Sequence, residues 1–103
     1  MRQPDCSLTI VFPKSLEDEL IDLLLERPEW VAGFTITQVE GKGRTVRLSG
    51  VVEEVKGRAR RVQVQTLINC QHARALIAYL RSALPNPEVA YWLAPIIEFG
   101  RLG

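Results

Sequence analysis

"RVQVQTLINCQHARALIAYLRSAL", residues 61–84, changes its period part-way, and that change decides the fold. Over 61–70 the residues alternate. Val62, Val64, Thr66, Ile68 and Cys70 share one side and Gln63, Gln65 and Leu67 the other, as in a strand with one buried face. From 71 to 84 Ala73, Leu76, Ile77, Leu80 and Leu84 recur at helical spacing, and Pro85 stops the run. The same strand-then-helix order appears upstream. "CSLTIVFP" (6–13) is a β-branched run closed by Pro13. "LEDELIDLLLERPEW" then places Leu16, Leu20, Leu23 and Leu24 on one helical face. Ser15 is its expected N-cap, Glu17, Asp18 and Glu19 suit the first turn, and Pro28 marks its end.

"GFTITQVE" (33–40) alternates as a second strand, and "VAYWLAPIIEFG" (89–100) reads as a last strand. Pro95 interrupts that last strand, which suits a sheet edge or a bulge. The order β-α-β-β-α-β predicts an α+β, ferredoxin-like βαββαβ domain spanning 1–103. Right-handed crossovers give a four-stranded antiparallel sheet with both helices on one face. The helix-free face then carries Thr35, Thr37, Gln63, Gln65 and Leu67, a mixture that often closes its surface by oligomerising. Tyr91 and Trp92 fall on opposite sides of the last strand, so one should face the helices and the other a neighbouring subunit.

Between the second and third strands runs a loop, 41–60, expected to hold little regular structure. Lys42, Arg44, Arg47, Lys56, Arg58, Arg60 and Arg61 are seven of the chain's thirteen basic residues, and Gly41, Gly43, Gly50 and Gly57 punctuate the stretch. Glycines at this density speak against a continuous helix, and a loop this long in a compact domain is usually functional or disordered. Six of the twelve acidic residues lie between Glu17 and Glu29, so the chain is polarised although its net charge is only +1. Such polarity favours oriented association or capture of an anion. "MRQPDCSLTI" holds no hydrophobic signal segment, and no run approaches membrane-spanning length. The expected location is cytoplasmic, without membrane insertion, where two cysteines remain thiols.

"VAGFTITQVEGKGR" resembles the second strand of PII signal-transduction proteins, where Gly-x-Gly-Arg stands at the base of the T-loop. "LTIVFPKSLEDELIDLLLE", "GFT", "GRARRVQVQ" and "YWLAPIIEFGR" are similar to a bacterial PII-like family encoded beside heavy-metal efflux pumps. The resemblance covers nearly the whole chain. It implies a homotrimer that senses a small ligand, such as an adenine nucleotide, in clefts between subunits. Residues 41–60 would be the T-loop, touching a membrane transporter such as a metal-efflux pump. On that resemblance the ligand residues are Gly41, Gly43, Arg44, Glu98 and Arg101. Backbone N–H groups at the two glycines and the Arg44 guanidinium would receive an anion. The turn in "LPNPEVAYW" lacks the Gly-rich, lysine-bearing phosphate loop of nucleotide-binding PII proteins, which keeps open another nucleotide or another small anion.

A second reading rests on Cys6, Cys70 and His72. If the first and third strands are antiparallel neighbours, Cys6 lies beside Cys70 and His72 follows at the start of the second helix. Thiolates with imidazole suit Cu(I) or Zn(II), as in a small metal sensor or buffer. The plainer reading is two small core cysteines and a surface histidine. With one histidine and no nucleophile–base set, the sequence does not specify an enzyme. Nucleic acid is not the expected partner either, since the third strand carries no aromatic on which bases stack.

Overall fold

Alternation puts Cys6, Leu8, Ile10 and Phe12 on one side of β1 (Cys6–Pro13), and all four are buried. The computed structural model describes residues 3–41 and 60–103 in full; within 42–59 it describes the backbone of 44–46, 52–54 and 59. β1 pairs antiparallel with β5 (Ala59–Ile68), in a register running from Cys6 opposite Ile68 to Pro13 opposite Arg61. β2 (Thr35–Gly41) adds to the outer side of β5, and β6 (Ala90–Pro95) to the outer side of β1. The sheet order β2-β5-β1-β6 is the expected ferredoxin-like arrangement. Leu20 and Leu24 from α1 (Glu17–Leu25) and Ala73, Leu76 and Leu80 from α2 (Cys70–Ala83) close the core against Leu8, Ile10, Phe12, Val62 and Val64. Thr66 is buried among them, and its hydroxyl donates to the carbonyl of Gly33, which ties the segment before β2 to β5.

Several boundaries differ from the sequence expectation. Ser15 lies inside a 3₁₀ turn (Lys14–Leu16), and Leu16 takes the N-cap position of α1 without a side-chain cap bond. The start of α1 is held instead by Lys14, whose Nζ reaches Glu17 at 2.6 Å and Gln38 at 3.0 Å. Cys70 is the first residue of α2 rather than the last of a strand. Its N–H is received by Asp5 Oδ1 at 2.8 Å, so the N-terminal segment caps the helix where Asn69 does not. Pro95 ends β6 instead of interrupting it, and β6 is an edge strand as expected. The loop is not without regular structure. β3 (Arg44–Val46) and β4 (Val52–Glu54) pair antiparallel within it, with Arg44 opposite Glu54 and Val46 opposite Val52. Cys6 and Cys70, expected as thiols, are joined as a disulfide with their Cα atoms 5.4 Å apart.

Because the core lies on one side of the sheet, Phe12→Ala is expected to cost about 3–5 kcal/mol in denaturant unfolding. Thr37→Ala on the other side should stay within about 0.5 kcal/mol, and a cost equal to that of Phe12→Ala would contradict a one-sided core. The hydrogen bond from Lys14 holds the Glu17 carboxyl below its ordinary range. A lowered folded-state pKa contributes stability that is present above the unfolded value and is lost as pH falls through the folded one. Carboxyl NMR titration should find Glu17 titrating below an ordinary glutamate, and Lys14→Met should move it back up.

Candidate functional site

The register brings three segments together at one end of the sheet. Gly41 closes β2 opposite Ala59 at the start of β5, and Val39 lies opposite Arg61. β6 begins at Ala90 opposite Val11, near the end of β1, so the turn 85–89 that precedes it emerges at this end too. The Arg61 side chain lies across Gly41. A Cβ at position 41 would stand 3.1 Å from Arg61 Nε and 3.2 Å from its Cδ, close enough that Arg61 would have to shift slightly to keep its course. Arg61 Nη1 then donates a long bond, 3.5 Å, to the carbonyl of Glu88. The turn is shaped by Asn86, whose Oδ1 accepts the Glu88 N–H at 2.8 Å and whose carbonyl accepts the Val89 N–H at 3.0 Å. Arg61 therefore links the base of the loop to the turn before β6. On the helix side a cavity of about 430 Å³ opens between Ile10, Leu80, Leu84, Val89 and Tyr91.

The helix-free face follows from the same register. Trp92, Thr9, Gln65 and Thr35 form one row across the four strands, and Ala90, Val11, Gln63 and Thr37 form the next. Leu67, Ser7 and Ala94 continue the face toward the far end. Among the described residues its one charged side chain is Arg61, at the loop end. Gln65 Nε2 donates to Ser7 Oγ at 3.1 Å, so part of its polarity is already satisfied within the chain. Trp92 is 51% and Leu67 42% exposed on this face, while Tyr91 lies on the helix side, where its hydroxyl accepts from Arg81 Nη2 at 3.2 Å.

The ligand residues expected from the sequence do not all meet within one chain. Gly41 lies at the loop end beside Arg61. Gly43, Lys42, Arg47, Lys56 and Arg58 lie outside the described residues, as does the side chain of Arg44, whose backbone belongs to β3. Arg60 is exposed and lies opposite Glu40 in the ladder. Glu98 and Arg101 follow β6, which runs away from the loop end; there the Ile96 N–H donates to the carbonyl of Asp5 at 3.2 Å. Arg101 lies over the Phe99 ring at 5.8 Å, and Ile97 and Leu102 in the same segment are fully exposed.

At that opposite end Asp5, Cys6 and Cys70 place one donor atom each within 4.8 Å of one another. His72 is not in the group. It is exposed on α2, two residues beyond Cys70 and so about 200° around the helix. Asp5 is the residue that sequence reasoning missed. Its signal was weak: an acid next to Cys6, whose relevance depends on the exact strand register.

The model of the protein family of unknown function designated DUF3240 matches residues 2–103. The chain belongs to the DUF3240 family. A crystal structure of a DUF3240 family protein from Shewanella baltica OS155 superposes with a TM-score of 0.75 at 20% identity, covering 99% of this chain and 100% of that one. CPII from Thiomonas intermedia K12, a nitrogen regulatory PII-like protein bound to ADP, AMP and bicarbonate, has a TM-score of 0.69 at 18% identity, covering 95% and 94%. Its apo form has a TM-score of 0.65 at 17% identity, covering 90% and 89%. No curated protein is similar enough to count as a relative. This DUF3240 chain thus has a PII-like fold, and its described residues include no helix long and apolar enough to cross a membrane.

In this DUF3240 protein a side chain at position 41 meets Nε and Cδ of the flexible Arg61 side chain, not backbone. Gly41→Ala should therefore change unfolding free energy by no more than about 0.5 kcal/mol. A loss above about 2 kcal/mol would show that Arg61 cannot move aside, contrary to the geometry described.

Proposed function

We propose that this protein is a PII-like regulatory adaptor, a cytoplasmic homotrimer that senses a small anionic ligand in clefts between subunits. The observation that carries the reading is the crossing of Arg61 over Gly41 to the Glu88 carbonyl, which couples the base of the loop to the turn before β6. A ligand that draws Arg61 away from this contact would have differential affinity for two arrangements of the loop base, the requirement for any ligand-driven switch. Arg61 also offers a cation where the turn "PNPE" has no lysine-bearing phosphate loop.

The proposed ligand is an adenine nucleotide, the class bound by CPII. Gly41, Gly43 and Arg44 of one subunit would receive it together with Glu98 and Arg101 of a neighbour. Support for a site divided in this way comes from the strand directions, which carry Glu98 and Arg101 away from Gly41 within a single chain. The nearly uncharged helix-free face, with Trp92 and Leu67 exposed on it, supports packing of subunits through their sheets. The loop with Lys42, Arg44, Arg47, Lys56 and Arg58, carried on β5 where Arg60 and Arg61 stand at its base, would be the effector arm. Its charge fits an acidic surface on a membrane transporter, a heavy-metal efflux pump being the partner class that the resemblance suggests. No catalytic role is assigned to it.

Calorimetric titration with ATP, ADP, AMP and cyclic AMP tests the ligand. At least one should bind, and Arg44→Ala and Arg101→Ala should each weaken it by at least about tenfold, the worth of one hydrogen bond to a charged group. Silence from all four nucleotides would overturn the nucleotide reading. Binding untouched by either substitution would overturn the residue assignment.

A further inference from the structure

We infer that Cys6, Cys70 and Asp5 form a zinc site that is open in the dithiol state and closed by the disulfide. The site stands at the end of the sheet away from the loop, and the inference does not depend on the nucleotide reading.

Three observations lead to it. First, the donor atoms of all three residues lie within 4.8 Å of one another. Tetrahedral zinc with Zn–S bonds near 2.3 Å sets two thiolates about 3.8 Å apart, so small side-chain rotations suffice once the sulfurs part. Second, the S–S bond is not what brings the sulfurs together. The β1–β5 ladder runs to the pair Cys6–Ile68, Asn69 Nδ2 donates to the carbonyl of Gln3 at 2.9 Å, and Asp5 Oδ1 accepts the Cys70 N–H at 2.8 Å. Reduction therefore leaves a preformed dithiol, with little ordering entropy left for the metal to overcome. Third, burial is graded. Cys6 is 3% exposed, Cys70 is half-buried and Asp5 is exposed, so the site has a dry wall and one side facing solvent.

The donor set selects the ion. Two thiolates favour a soft or borderline cation, and a carboxylate as third ligand favours Zn(II) over Cu(I). A carboxylate has two oxygens, so Asp5 can ligate through one while the other keeps the cap on α2. The fourth position, on the solvent side, is left for water or a ligand from a partner. Binding displaces the two thiol protons as the two Zn–S bonds form. Closure is thiol–disulfide exchange with a low-molecular-weight disulfide. The Cys6–Cys70 bond forms, the reagent's S–S bond breaks, and the two protein thiol protons end on the two released thiols. Zinc and disulfide thus compete for the same sulfurs, and the chain holds the metal only under reducing conditions.

The test is Zn(II) titration of the full chain against a chromophoric chelator, in the fully reduced form and after oxidation by a small disulfide. The reduced chain should take up zinc stoichiometrically and the oxidised chain none. Cys70→Ser should abolish uptake, Asp5→Asn should weaken it by at least about tenfold while preserving the cap, and His72→Ala should leave it unchanged. Equal uptake by the oxidised chain, or none by the reduced chain, would overturn the site. Loss in His72→Ala, or no effect of Asp5→Asn, would overturn the donor set. The comparison of the two redox states uses the unaltered sequence, so it stands even if a cysteine variant does not fold.

Discussion

The antiparallel pairing of β1 with β5 is the constraint on which the rest of the molecule depends. It aligns Leu8, Ile10 and Phe12 with Thr66, Val64 and Val62, and so gives both helices one continuous surface to cover. The same register fixes both ends. Pro13 opposite Arg61 sets the base of the loop, and Cys6 opposite Ile68 brings the Cys6 sulfur to the start of α2. A slip of β5 by one residue against β1 would turn Val62 and Val64 outward while Phe12 stayed inward, and would separate both constellations at once.

Two chemistries consequently sit at opposite ends of one rigid ladder. The loop end is cationic, with Arg61 crossing Gly41 to the turn at Glu88. The other end gathers two sulfurs and a carboxylate. Between them lies a sheet face almost without charge, suited to meeting copies of itself. On this account each end answers to a different input, an anionic ligand at one and redox state with metal at the other. If copies pack through this open face, it is where either input would reach a neighbouring subunit.

Much of the fold was legible in the sequence because strong periodicity and hard punctuation coincide. Pro13, Pro85 and the alternation through Val62, Val64 and Thr66 bound their elements closely. The misjudged boundaries are those where tertiary contacts outweigh local preference. Ser15 is a good cap by type, yet Lys14 bridging Glu17 and Gln38 organises that turn instead. Cys70 continues the strand's alternation, yet Asp5, 65 residues away, makes it the first residue of a helix. The short ribbon within the loop leaves no mark in the sequence, because three-residue strands carry too little periodicity to register. The site was only half legible. Gly41 and the two cysteines stood out by type, but the Arg61 crossing and the place of Asp5 depend on register, which no local pattern encodes.

The central claim is that the open sheet face is a subunit interface. Light scattering on the reduced chain at micromolar concentration, with Trp92→Glu as the comparison, tests it most directly. The expected result is a trimer that Trp92→Glu breaks into folded monomers, because the substitution puts charge on a half-exposed residue of the open sheet face, outside the core. A wild-type chain that stays monomeric would contradict the account, as would a trimer indifferent to Trp92→Glu.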